Sequence, residues 1–138
     1  MSEQPLQCEI VTPERLMFSQ SADYVVVPAT TGEIGFCIDR APYMCTIDKG
    51  CIRITPAGES TCVKLAVSGG YVEVDGKQVT VLADRAALMS EVDVEEVNKA
   101  VSELEAQAAG FDADDENGFL VRSNLEWNKL LQHISQAS

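Results

Sequence analysis

The residue types that carry chemistry are few in this chain of 138 residues, and their spacing is wrong for catalysis. The lone histidine, His133, lies near the C-terminus beside Ile134 and reads as a solvated helix residue. Ser68 precedes Gly69-Gly70 but does not sit in the Gly-x-Ser-x-Gly turn that exposes a nucleophile. Gly32-Glu-Ile-Gly35 and Gly69-Gly70 match neither the dinucleotide nor the phosphate-loop pattern. Cysteines 8, 37, 45, 51 and 62 form no Cys-x-x-Cys pair for zinc or thiol redox work. They read as reduced, buried thiols acting as small hydrophobes, five slow thiols in a titration. The acidic stretch Phe111-Asp-Ala-Asp-Asp-Glu-Asn-Gly118 invites comparison with a calcium loop. Setting Gly118 on the invariant glycine places Ala113 at the first ligand position and Asn124 at the last, where a bidentate glutamate is required. A solvated acidic loop fits better. No catalytic residue and no metal site is expected.

Charge excludes further classes. The formal net charge is −12, with 7 basic and 11 acidic side chains in residues 1–88 and 3 basic and 11 acidic in residues 89–138. Such a chain repels phosphate backbones and anionic lipid head groups, because it lacks the basic patch both require, so nucleic acid is not an expected partner. The longest aliphatic runs, such as Val25-Val-Val27, are strand-length, far short of a span. The polar opening Met1 to Gln7 has no apolar signal core behind it, which predicts a cytosolic protein.

The elements that would position any site divide into two kinds. Residues 1–88 read as short strands at 6–11, 14–18, 23–28, 34–38, 43–47, 51–55, 61–67, 71–74 and 78–83. Turn chemistry at Thr12-Pro13, Thr31-Gly32, Asp48-Lys-Gly50, Pro56-Ala-Gly58 and Asp75-Gly76 separates them. That pattern predicts a β-sandwich or flattened barrel. From residue 89 the spacing becomes helical. Val94, Val97, Val101, Leu104 and Ala108 form one stripe, started by Asp93 with Glu96 and stopped by Gly110. A second helix is predicted from Ser123, with Trp127, Leu130, Leu131 and Ile134 on one face. Laid antiparallel, the two stripes bury each other as a helical hairpin. The expected class is thus β + α: a sandwich domain over 1–88 and a two-helix hairpin over 89–138. On the residues alone, this is a protein-interaction module with a helical tail.

One further reading comes from order. Ile10-Val-Thr-Pro-Glu14, Phe18-Ser19, Tyr24-Val-Val-Val-Pro28, Gly32-Glu-Ile-Gly35, Ala41-Pro42, Gly50 with Ile52-Arg-Ile54, Ser68-Gly-Gly70 and Val79 to Asp84 follow one another across some 75 residues. In this order, before a two-helix tail, they resemble the epsilon subunits of F-type ATP synthases. The resemblance implies a ten-stranded sandwich docking on the gamma subunit and the ring of c subunits. It implies a non-catalytic rotor part at the cytoplasmic face of the cell membrane, peripheral and without direct insertion. The tail would reach the alpha and beta subunits only when extended, to restrain ATP hydrolysis. By alignment, the residues at the gamma and c-ring contacts would be Glu33, Gly35, Arg40, Pro42, Met44, Ser68, Gly69 and Gly70. The hairpin seam would be Val94, Val97, Val101, Leu104, Trp127 and Leu131.

Two departures matter. Where the family usually reads Leu-Pro-Gly-His-Ala-Pro, this chain has Cys37-Ile-Asp-Arg-Ala-Pro42, so Arg40 replaces a histidine. Some bacterial members bind ATP through Ile/Leu-Asp-x-x-Arg-Ala, but here Val92-Asp-Val-Glu-Glu-Val97 puts Glu96 at the arginine position. A carboxylate there repels phosphate, so no ATP cofactor is expected. The second helix offers only Arg122, Lys129 and His133 as basic groups, so the tail is expected to stay folded or to inhibit weakly.

Overall fold

A computed structural model describes residues 6–37, 42–112 and 114–136. The chain divides into two compact units, Met1–Ser90 and Glu91–Ser138.

In the first unit, alternation of apolar and polar residues builds seven strands: β1 Leu6–Val11, β2 Leu16–Ala29, β3 Gly32–Phe36, β4 Tyr43–Thr46, β5 Gly50–Pro56, β6 Val63–Val74 and β7 Gln78–Leu88. They run in the order β1-β7-β6-β5-β2-β3, with β4 on β6 and β1 also paired to β2. Strands β2, β6 and β7 each reach both layers of the resulting sandwich, β7 by pairing with β6 on both sides of its bend. The first half of β2 pairs with β1, and after a register shift between Ala22 and Tyr24 its second half pairs with β3 and β5. Likewise β6 pairs with β5 through Val63–Val67 and with β4 through Tyr71–Val74.

Among the described residues, seven strands thus stand where nine were read from the sequence and ten from the resemblance. The reason lies at the bends. The Gly69-Gly70 break does not end a strand; it turns β6 from one layer to the other with φ of 75° and 122°. The segments 14–18 and 23–28 are likewise one strand. Strand β7 runs on to Leu88 because its second half pairs with Leu65–Ser68 at the far end of β6.

Inward positions fill the core: Leu6, Cys8 and Ile10 on β1, Val25 and Val27 on β2, and Phe36 on β3. Ile52 and Ile54 on β5, Leu65, Val67 and Val72 on β6, and Val79 and Val81 on β7 complete it, all fully buried. Each such side chain gains ~1.5–3 kcal/mol by leaving water. Between β6 and β7 the chain reverses at Asp75-Gly76, where Asp75 Oδ1 accepts from the N–H of Gln78 at 2.9 Å.

The second unit is an αα-hairpin of α1 Val94–Ala108 and α2 Glu116–Gln136. Asp93 caps α1, its Oδ1 accepting from the N–H groups of Glu95 and Glu96 at 3.0 and 3.3 Å. Helix α1 ends on Ala109 in right-handed geometry, not on a left-handed Gly110. The second helix starts seven residues before the expected Ser123. Asp115 takes the capping role, accepting from Asn117 N–H at 2.8 Å, and Gly118 lies inside the helix, not at the sharp turn that the invariant glycine of a calcium loop makes. Val97, Val101, Trp127, Leu131 and Ile134 are buried, and Leu104 is half-buried. Val94, expected in that seam, is 45% exposed. Its azimuth fits the stripe, but as the first residue of α1 it lies at the helix end. Gln132 Nε2 donates to Asn98 Oδ1 at 2.8 Å, tying the helices together.

Candidate interaction surface

The outer face of β3-β2-β5 is built around a carboxylate and a guanidinium two strands apart. Glu33 follows the turn into β3, and Arg53 lies mid-β5 on the face opposite the buried Ile52 and Ile54. Across the intervening β2, Arg53 Nη1 donates to Glu33 Oε2 at 2.8 Å and Nη2 to Oε1 at 3.1 Å. The hydrogen bonds from Arg53 hold the Glu33 carboxyl below the usual glutamate range, and those to Glu33 raise the guanidinium further. Since the folded value is depressed, the small stability the pair lends is present at neutral pH. It fades as acid protonates Glu33.

Beside this pair the sheet is close-packed over a glycine. Gly35 faces Val26 across the ladder, and a Cβ on it would collide with the Tyr24 hydroxyl. The Tyr24 ring therefore lies where a side chain would otherwise stand, so a larger residue at this position would have to push the ring aside. Pro28 similarly occupies the space beside Gly50, where an added Cβ would lie 2.8 Å from its own Cβ.

The other outer face carries an apolar row. Register pairs link Thr46 to Tyr71, Tyr71 to Leu82, Leu82 to Val11 and Val11 to Leu16, crossing five strand segments. Tyr71, Leu82 and Leu16 are all exposed, and Met44, in the next row opposite Glu73, is 60% exposed. Away from Met44 that same row is polar, running from Glu73 through Thr80 and Glu9 to Ser19, with Ser19 Oγ donating to Glu9 and Gln78 to both Glu9 and Thr80. The two faces meet where the N–H of Thr30 donates to the carbonyl of Thr46 at 3.2 Å. That contact sets the turn leading to Glu33 beside the strand carrying Met44.

The residues aligned to the interface are thus not gathered on one patch. Glu33 and Gly35 share the β3-β2-β5 face, while exposed Met44 and Pro42 belong to β4 and its approach. Arg40 lies outside the described residues. Ser68, Gly69 and Gly70 form the bend of β6, where Ser68 pairs with Arg85. Sequence reasoning missed Arg53 as the partner of Glu33 and missed the Tyr71–Leu82–Leu16 row. The available signal was alternation, which put both sets on wet faces without saying what they meet.

The cysteines need a correction. Cys8 is buried, but Cys45 and Cys51 are only partly so, and Cys37 and Cys62 are exposed. Alternation puts just one of the five on a fully buried position; the exposed pair lies at strand ends. Burial, with the nearby Glu9 charge, pushes the Cys8 thiol up to about 12, and burial raises Cys45 and Cys51. Titrating the native protein with a chromogenic disulfide should therefore show two fast thiols, and Cys8 should react only on unfolding. Five equally slow thiols would contradict this placement. Among the described residues no cluster of three or more His, Cys, Asp or Glu is placed to hold a metal ion.

Residues 5–89, nearly the whole first unit, match the family model described as ATP synthase, Delta/Epsilon chain, beta-sandwich domain. The chain belongs to the ATP synthase delta/epsilon family. It is 38% identical over 131 residues to the ATP synthase epsilon chain of Desulforamulus reducens, covering 94% of each chain. With that of Carboxydothermus hydrogenoformans the identity is 38% over 104 residues, 75% of this chain and 76% of the relative. A chain in the cryo-EM structure of the Euglena gracilis mitochondrial ATP synthase, comprising OSCP, F1 and c-ring, superposes with a TM-score of 0.74 at 17% identity. The match covers 97% of this chain and 83% of that one, a likeness of fold. Epsilon-family resemblance in the sequence thus extends through both units. In the described residues no helix is long and apolar enough to cross a membrane.

Proposed function

We propose that this chain is the epsilon subunit of an F-type ATP synthase central stalk, a non-catalytic rotor part coupling ring rotation to ATP synthesis. The observation that carries the reading is the 38% identity to an epsilon chain across 94% of both proteins, sandwich and hairpin included. The first unit is the docking body for the gamma subunit and the c-subunit ring. Its exposed row of Tyr71, Leu82 and Leu16 suits a protein contact, since aromatic and aliphatic side chains dominate interface cores. The chain then sits peripherally at the membrane, on the cytoplasmic side, held by protein partners alone.

Size exclusion after co-expression with the cognate gamma subunit tests this. A stable one-to-one complex is expected. Elution apart from a folded gamma would sink the assignment and leave a β-sandwich that binds something else.

The hairpin is proposed to stay folded in most turnovers and to restrain hydrolysis only weakly. Its seven-residue-longer α2 adds Glu116 and no basic side chain but Arg122, and the tail remains at −8. Deleting residues 89–138 should leave ATP hydrolysis by the assembled complex within about twofold of the parent, less than ~0.4 kcal/mol in barrier. A large rise would show that the tail is a strong brake after all.

A further inference from the structure

The pair on the β3-β2-β5 face has a property that its contribution to folding does not explain. Both side chains remain well exposed, at 39% for Arg53 and 55% for Glu33. Exposed ion pairs contribute little to stability, because water screens them and long side chains lose freedom. Yet the geometry is the demanding kind, two parallel N–H···O bonds between planar groups, which fixes orientation more than it adds energy. The brace also crosses a strand: its ends stand on β3 and β5, with β2 between. Its surroundings are equally fixed, with the Tyr24 ring packed against Gly35 and Pro28 against Gly50.

We propose that Arg53 is a positioning residue that holds Glu33 as an oriented, charge-neutralised hydrogen-bond acceptor, and that the partner seated on this face offers uncharged N–H or O–H donors. The proposal rests on the stalk assignment, which makes the rotor the partner.

The chemistry follows from the lone pairs. A carboxylate accepts at about four positions, and the guanidinium takes two, so Glu33 can accept again without releasing Arg53. A neutral donor adds to the pair at no electrostatic cost. A lysine or arginine from the partner could reach the same free positions, but it would stand beside Arg53 and beside Lys64, the β6 residue paired with Arg53, and both would repel it. Like charges facing each other across a ladder are unfavourable. The face therefore selects a polar, uncharged loop over a basic one.

Affinity of the full chain for the purified cognate rotor, gamma with its c ring in detergent, provides the test. Arg53→Gln and Glu33→Gln should each weaken binding roughly tenfold or more, the scale of one hydrogen bond to a charged group. Arg53→Lys should do the same, because lysine keeps the charge but not the fork. The double replacement should be no worse than either single one, since both remove the same oriented acceptor. It leaves the net charge of the face unchanged, so the salt dependence of binding should match the parent. Melting temperatures should barely move, a readout that separates positioning from folding. Arg53 variants binding like the parent would overturn the proposal. So would a flatter salt dependence in the double variant, the mark of a cationic partner on Glu33. A parent chain that fails to bind the rotor at all would sink the stalk assignment, and this inference with it.

Discussion

Replacing Gly70 by alanine is expected to destabilise the β-unit by about 3–5 kcal/mol, summing backbone strain and overpacking. The cause is twofold. Gly70 adopts φ of 122°, a conformation that side-chain-bearing residues rarely take. An added Cβ would also lie 2.0 Å from the Leu82 carbonyl oxygen and 2.9 Å from the Ala83 Cα. Neither atom can swing aside, since both are backbone of β7 directly across the ladder. A loss of that size is a large share of the ~5–15 kcal/mol that holds a typical domain together. Urea denaturation of the variant should show a much lower midpoint, or no folded protein. Gly58 supplies the control. Its φ is also positive, but a Cβ there meets nothing within 4 Å, so Gly58→Ala should cost far less. Equal losses at the two sites would mean that strain alone, not the collision with β7, decides the outcome.

Trp127→Ala should have the second large effect, a loss of about 3–5 kcal/mol concentrated in the helices. The indole is the largest side chain buried in the hairpin, where Val97, Val101, Leu131 and Ile134 are its buried companions. Helices in proteins draw most of their stability from packing of an apolar face, so the order of these two, of 15 and 21 residues, depends on that thin seam. The truncated protein should lose most of its helical circular dichroism while the β-sheet signal persists. A helical signal unchanged through the melt would show that the aliphatic residues alone suffice.

Much of this arrangement was legible in the chain. Strict alternation in Cys51-Ile-Arg-Ile-Thr55 marked β5 and its buried face, and Asp75-Gly76 marked the reversal between β6 and β7. What alternation does not encode is where a strand bends. The Gly69-Gly70 pair looks like a terminator because glycine weakens a strand interior and leaves no side chain to pack, and only the register with β7 reveals a corner. At the end of β7, Arg85-Ala-Ala-Leu88 lacks the β-branched residues that advertise a strand; pairing with β6 holds it there. The early start of α2 was hidden for a related reason. Phe119 and Leu120 are exposed apolar residues that break the amphipathic stripe, and Gly118 reads as a breaker although it packs against Phe111. As for the surface, Glu33 was conspicuous between Gly32 and Gly35. Its partner lies 20 residues away on a strand that is not its neighbour, a distance at which no local pattern speaks.

The path of β2 and β6 through both layers has a mechanical consequence. Stacked sheets joined only by side-chain packing can slide, because dispersion contacts resist shear weakly. Here sliding would require stretching two continuous polypeptides at their bends, one at Ala22–Tyr24 and one at Gly69–Gly70. Covalent backbone then carries a sideways load from one face to the other, and the body transmits a twist with little lost motion.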